Sequence, residues 1–162
     1  MNPSADIEHL DRGLHVPLTL ILTPDGAPEW LGHWLAHHRG PWARYALTTA
    51  DNRPEHFLAN LTAALRAAVP TLRPILIPTE TDPLDATAEL LNALLAMEKD
   101  LAVILENYQT ITTPAVHAAV RLMVDYPPPC VHLYLVSQRV PPLPLARLRV
   151  RQQLVEIDLR GE

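Results

Sequence analysis

Residues 18–35, LTLILTPDGAPEWLGHWL, decide how this chain is read. The run from Leu18 to Leu22 is almost wholly apolar, as a strand buried on both faces of a parallel sheet would be. From Pro28 the spacing changes. Leu31, Trp34 and Leu35 recur at helical intervals, with Pro28 suited to a first helical position. A strand passing into a helix through a short loop is where many α/β proteins bind phosphate. This loop, Thr23-Pro24-Asp25-Gly26-Ala27-Pro28-Glu29-Trp30, carries one glycine and no lysine.

The same alternation continues outward along the chain. Residues 17–23, 43–49, 101–106, 130–137 and 153–159 read as strands buried on both faces. Amphipathic helices are expected over 28–38, 53–69, 84–98 and 113–125, and one more before the last strand. Thr113-Pro114 reads as a cap followed by a first-turn proline. The expected fold is α/β, a three-layer α/β/α arrangement with a mainly parallel five-stranded sheet and right-handed crossovers. Residues 1–13 read as a polar lead-in. The proline-rich stretch 70–83 reads as a surface connection with a short extended piece at Ile75–Ile77.

Composition narrows the function. With 162 residues, the chain fits a single domain, and 48% hydrophobic residues make it globular. A formal charge of −5 argues against a basic nucleic-acid-binding face, so no direct nucleic-acid partner is expected. The arginines between Arg139 and Arg160 interleave with apolar residues and read as a solvated helix and strand face. No apolar run approaches the ~20 residues needed to span a bilayer, and no secretory leader is legible, so a cytoplasmic location without membrane contact is expected. Cys130 lies in an apolar run and reads as a buried structural thiol. His33, His37 and His38, with Glu29, have helical spacing but lack a further ligand, so no metal site is expected. His132 reads as a hydrogen-bonded core or cleft residue. Ser137 lacks the glycine elbow of a serine nucleophile. Trp30, Trp34 and Trp42 read as packing residues, and Trp30 could plug the loop's pocket.

The C-terminal half carries a resemblance. Glu106-Asn107-Tyr108 at a strand end, Val116-His117, the Tyr126-Pro127-Pro128 turn, Ser137 and the run Pro141-Pro142-Leu143-Pro144-Leu145-Ala146-Arg147-Leu148-Arg149 resemble the ATPase domain of maltose-activator, LuxR-type regulators. These are large signal-transduction ATPases with numerous domains, of the NACHT/AAA-like P-loop class. Residues 47–66, LTTADNRPEHFLANLTAALR, are similar to that domain's second strand, its Asp-Asn-x-Pro loop and next helix. The resemblance covers about residues 14–160. It implies a P-loop NTPase core and places residues 18–30 at the phosphate loop. On this reading the 162 residues correspond to the NTPase-like core alone, and the family's helical, winged-helix and DNA-binding regions are expected to be absent.

Set beside that family, the chemistry is depleted at three places. A working phosphate loop needs backbone N–H groups around the phosphates, a lysine for the β- and γ-phosphates and a hydroxyl for Mg²⁺. Here Pro24, Asp25, Gly26, Pro28 and Glu29 occupy the loop. Pro28 lacks an N–H, and two carboxylates would repel a triphosphate by about 1 kcal/mol or more. Lys99, the only lysine, precedes the third strand at the wrong end of the sheet. The family's paired aspartates, for Mg²⁺ and water, correspond to Glu106-Asn107, and an amide is no general base. Its Ser-Arg sensor corresponds to Ser137-Gln138, with Arg139 one residue along. Glu106 and Asn107 are expected to cap the strand end or pair locally.

These losses together point to a non-catalytic, degenerate P-loop NTPase-like domain acting as a protein-interaction or signalling module. No catalytic residue, metal or cofactor is expected, beyond weak ATP or ADP binding at the helix N-terminus. The expected partner is another protein or a second copy. The alternatives are a nucleotide-binding switch without hydrolysis, and an excised ATPase-domain fragment of a large transcriptional regulator.

Overall fold

A computed structural model describes residues 3–75 and 82–161. The elements run α1 (Pro3–Gly13), β1 (Leu18–Leu22), α2 (Glu29–Ala36), β2 (Trp42–Ala46), α3 (Pro54–Ala68), α4 (Pro83–Leu94), β3 (Leu101–Glu106), α5 (Pro114–Asp125), β4 (Val131–Ser137), α6 (Leu145–Val150) and β5 (Leu154–Asp158). Two single 3-10 turns, Thr49–Asn52 and Tyr108–Thr110, follow β2 and β3. The strands lie in the order β2-β3-β4-β1-β5, and every neighbouring pair is parallel. This is the expected α/β sheet.

Alternation along each strand sorts side chains onto two faces. Leu18, Leu20, Leu101, Val103, Leu105, Leu133 and Leu135 face α3, α4, α5 and α6. Ile21, Ala102, Ile104, Tyr134 and Val136 face α1 and α2. The two clusters form the three-layer sandwich. β1, β3 and β4 are buried along almost their whole length. The edges differ from expectation. β2 buries only Ala43 fully, and β5 alternates, because an edge strand lacks a second neighbour and presents polar residues to water. Trp42 is accordingly 41% exposed and not a packing residue.

The polar lead-in is a helix. Ile7, Leu10 and Leu14 recur at helical spacing, and Leu10 is fully buried on the α2 side of the sheet. Its charged and polar residues hide this stripe in the sequence. The Tyr134 hydroxyl donates to the Leu10 carbonyl at 2.7 Å, pinning α1 to β4. Gly13 permits the close approach: a Cβ there would meet Thr19 Oγ1 at 2.4 Å and the Tyr134 hydroxyl at 2.6 Å.

Several local expectations change. Pro28 is the residue before α2 and not its first, with φ −69 and ψ 151. Thr113 does not cap α5 with its own side chain; its amide and hydroxyl instead donate to Asn52 from another loop, which holds the backbone just before the helix. Helix 84–98 ends at Leu94, and strand 43–49 ends at Ala46, where Thr48 and Asp51 build a capping box around a 3-10 turn. Cys130 is half-buried, because it precedes β4 at the rim of the sheet. Of the expected extended piece Ile75–Ile77, residues 76 and 77 lie outside the described residues.

Candidate functional site

In a parallel sheet the loops leaving the strand C-termini gather along one edge, and ligands bind there where connections diverge. That edge holds the 23–28 loop after β1, Glu106 and Asn107 at the end of β3, and Ser137, Gln138 and Arg139 at the end of β4. The positions matched to the family's nucleotide site therefore lie on this edge, and Lys99 lies on the opposite one, before β3.

The first loop is held by its own residues. The Thr23 amide donates to the Ser137 carbonyl at 3.0 Å, and the Thr23 hydroxyl donates to the Gly26 carbonyl at 2.9 Å. Gly26 has φ +94, a left-handed conformation that favours glycine, and no atom lies within 4 Å of where its Cβ would be. Pro24, Asp25 and Glu29 are exposed, and Pro28 is half-buried. Pro28 makes no side-chain cap at the start of α2, and Glu29 supplies the acidic group of its first turn. Trp30 packs against the cluster containing Ile21, Leu31 and Ile157, and its indole nitrogen is buried without a hydrogen-bond partner.

Glu106 has a partner that sequence reading missed. Arg44 Nε donates to Glu106 Oε2 at 2.5 Å and its Nη2 donates to Oε1 at 3.0 Å, a bidentate fork. The parallel register explains the match. Ala46 is opposite Glu106, so Arg44 stands two residues earlier on the same face of the neighbouring strand. Pairing with Glu106 raises the Arg44 pKa above its ordinary value, against a smaller opposing effect of burial. A Cβ on Gly32 would stand 3.5 Å from Arg44 Nη1, so the guanidinium lies beneath α2. Glu106, expected to cap the strand end or pair locally, is paired across the sheet by Arg44. The signal was present as the one charged residue in the expected strand ARYALTT.

Asn107 sits in the left-handed region, φ 59 and ψ 37, and its carbonyl accepts from the Thr110 amide and hydroxyl at 3.0 and 2.8 Å. It is a turn residue here. The Ser137 hydroxyl donates to the Arg139 carbonyl at 2.6 Å. The Gln138 amide donates to Gln109 Oε1 at 3.2 Å, and Arg139 Nη2 donates to the Gln109 carbonyl at 3.1 Å. The chain has left β4 by Arg139, and its exposed guanidinium is tied to Gln109 in the turn after β3.

Two further constellations brace this edge. Asn52 Oδ1 accepts from the Thr112 amide at 2.7 Å and from the Thr113 amide and hydroxyl at 3.1 and 3.0 Å. Its Nδ2 donates to the Thr110 carbonyl at 2.9 Å, so one side chain joins the β2–α3 and β3–α5 loops. Asp51, buried, accepts from the Thr48 amide at 2.8 Å and from the Tyr45 hydroxyl. Below these loops Tyr108 is hydrogen-bonded to His117 Nδ1 at 2.9 Å. Burial pushes the Tyr108 pKa up and the His117 pKa down, so both groups are held neutral and the phenol is suited to donate.

The other sequence candidates fall elsewhere. His33 and His37 are exposed, their rings 4.5 Å apart, with His37 Nδ1 2.9 Å from the His33 carbonyl. Among the described residues no group of three His, Cys, Asp or Glu is placed to hold a metal ion. His132 is the hydrogen-bonded core residue expected: buried, with Nδ1 2.9 Å from the Val16 carbonyl and Nε2 2.9 Å from Asp100 Oδ1. Among the described residues no helix is long and apolar enough to cross a membrane.

No protein-family model matches the chain. It is 31% identical over 150 residues to the HTH-type transcriptional regulator MalT of Yersinia enterocolitica, covering 88% of this chain and 16% of that protein. It is also 31% identical over 147 residues to MalT of Cronobacter sakazakii, covering 86% of this chain and 16% of that protein. The chain thus spans about one-sixth of the length of these relatives. Among solved structures it matches one titled as Drosophila ORC bound to GC-rich DNA and Cdc6, with TM-score 0.54 and 15% identity, over 98% of this chain and 28% of the other. That likeness is one of fold and fits a P-loop NTPase-like core.

Proposed function

We propose that this chain, homologous to one segment of the MalT-type regulators, is a regulatory module that keeps the NTPase-like core without nucleotide chemistry. The observation that carries this reading is Glu106. The one carboxylate left at the family's metal position is held in a two-pronged ion pair by Arg44. The loop facing it has Asp25 and Glu29 but no lysine. Exchanging Arg44 for a hydrated Mg²⁺ would break two charge-assisted hydrogen bonds before any phosphate was bound. The core around the site is intact, so the fold remains available to position surfaces for a protein partner or a second copy, as suits a relative of transcriptional regulators.

Thermal melting and isothermal titration with Mg·ATP, ADP, GTP and GDP test the proposal. The expected outcome is no shift and no heat. A nucleotide present at 100 times its Kd would add about 2.7 kcal/mol, which for a chain of this size raises Tm by roughly 5–10 °C. Such a rise with any of the four would overturn the proposal in favour of a nucleotide-binding switch. The open, left-handed Gly26 is the one feature that favours this second reading.

A further inference from the structure

The opposite pole of the sheet holds a cleft of about 760 Å³ between α1, the end of α2 and the turns before β2 and β3. Its size is that of small-molecule sites, commonly ~300–1,000 Å³. The apolar wall is made by Ile7, Leu14 and Trp34. Two carboxylates in it are already oriented. Asp11 Oδ1 accepts from the Trp34 indole N–H at 2.8 Å, and Asp100 Oδ1 meets His132 Nε2 at 2.9 Å. Among the described residues no hydrogen bond engages the second oxygen of either group. Two cations, Arg39 and Lys99, line the same cleft, and neither has an ion pair or hydrogen bond among the described residues. Glu98 adds an exposed third carboxylate. The ring of His38 stacks on Trp34 at 5.4 Å, and its Nε2 is shut off from solvent without a hydrogen-bond partner.

The backbone brings these groups together through Gly40. A Cβ there would stand 2.5 Å from the Asp100 carbonyl oxygen and 3.1 Å from His38 Nε2, so only glycine lets the two turns touch. The cleft thus presents an apolar wall with charges of both signs around it. A simple anion would meet three carboxylates and a simple cation two free basic groups. A zwitterion satisfies both sets while its side chain covers the wall.

We propose that this cleft binds a free α-amino acid with an apolar side chain. The ligand's ammonium meets the open oxygens of Asp11 and Asp100, its carboxylate meets Lys99 and Arg39, and its side chain lies against Trp34, Ile7 and Leu14. The site is distinct from the nucleotide edge and needs nothing from it.

The test uses the whole chain, ¹⁵N-labelled, titrated with L-phenylalanine and followed by NMR. The expected dissociation constant is on the order of 0.1–1 mM for a ligand of this size. Shifts should centre on Trp34, His38 and Lys99. N-acetyl-L-phenylalanine and L-phenylalaninamide, each lacking one charge, should bind about tenfold or more weakly. Glycine, lacking the apolar group, should also bind far more weakly. Lys99→Met, at an exposed turn, should lower affinity by roughly three- to tenfold while the urea midpoint stays unchanged. Failure of L-phenylalanine, L-leucine and L-tryptophan to bind would overturn the proposal. Binding that survives the loss of either ligand charge, or shifts confined to the Glu106 edge, would overturn it equally.

Discussion

Severing the fork between Arg44 and Glu106 has a calculable consequence. Exposed ion pairs contribute about 0.2–1 kcal/mol, whereas hydrogen bonds to charged groups away from water contribute about 1.5–3 kcal/mol. This pair stands between those limits: the Arg44 side chain is 34% exposed, that of Glu106 16%, and both bonds are well formed at 2.5 and 3.0 Å. A coupling energy of roughly 1–2 kcal/mol follows from the bidentate geometry in partial shelter. Each single change should cost more than the coupling alone suggests, because it strands a half-dry charge or amide beneath α2. Arg44→Met is the more damaging, at about 2–3 kcal/mol, since it leaves the Glu106 carboxylate without a counter-charge. Urea unfolding of the wild type, Arg44→Met, Glu106→Gln and the double variant closes the cycle. Salt should weaken the coupling only modestly, because the pair is partly screened from solvent ions. A coupling below about 0.3 kcal/mol would refute the claim that the fork occupies Glu106 in solution. With it would fall the main support for a site disarmed from within the sheet.

Two other perturbations probe the same edge. Asn52→Ala removes the acceptor of the Thr112 and Thr113 amides at the start of α5, and should cost about 2–3 kcal/mol in urea unfolding, with faster hydrogen exchange at those two amides. The pH dependence carries the signature of His117, whose folded pKa lies below its ordinary value of 6.5, chiefly because burial disfavours the charged ring. The unfolded chain then binds more protons between the two values. This stabilising contribution is complete above about pH 6.5 and is lost as pH falls through the lower folded value. Urea midpoints should therefore drop on acidification through that window, and His117→Phe should flatten the drop.

How much of this was legible in the chain depends on the range of the interaction. The apolar runs of β1, β3 and β4 are buried on both faces, so their burial is written into consecutive residues. β2 and β5 are edges, a fact about neighbours and not about sequence, and their exposed positions were misjudged for that reason. α1 was missed because the apolar stripe of Ile7, Leu10 and the following Leu14 is interleaved with the charged residues Asp6, Glu8, Asp11 and Arg12. The Asp-Asn-x-Pro loop was noticed as a motif, but its work became visible only with Thr112 and Thr113 beside it.

The sequence by itself determined the alternation of the five strands with the helices between them, the burial of β1, β3 and β4 and the lack of a lysine in the first loop. Each of these is a property of local spacing and residue chemistry, which the chain carries wherever it folds. Tertiary structure alone decided that Glu106 is paired with Arg44, 62 residues away, and that Asn52 fixes the backbone just before α5, at Thr112 and Thr113, 60 and 61 positions on. It also decided that Lys99 and Asp11 share one cleft. Such pairings depend on strand order and parallel register, which bring distant residues onto one face at a separation no local pattern encodes.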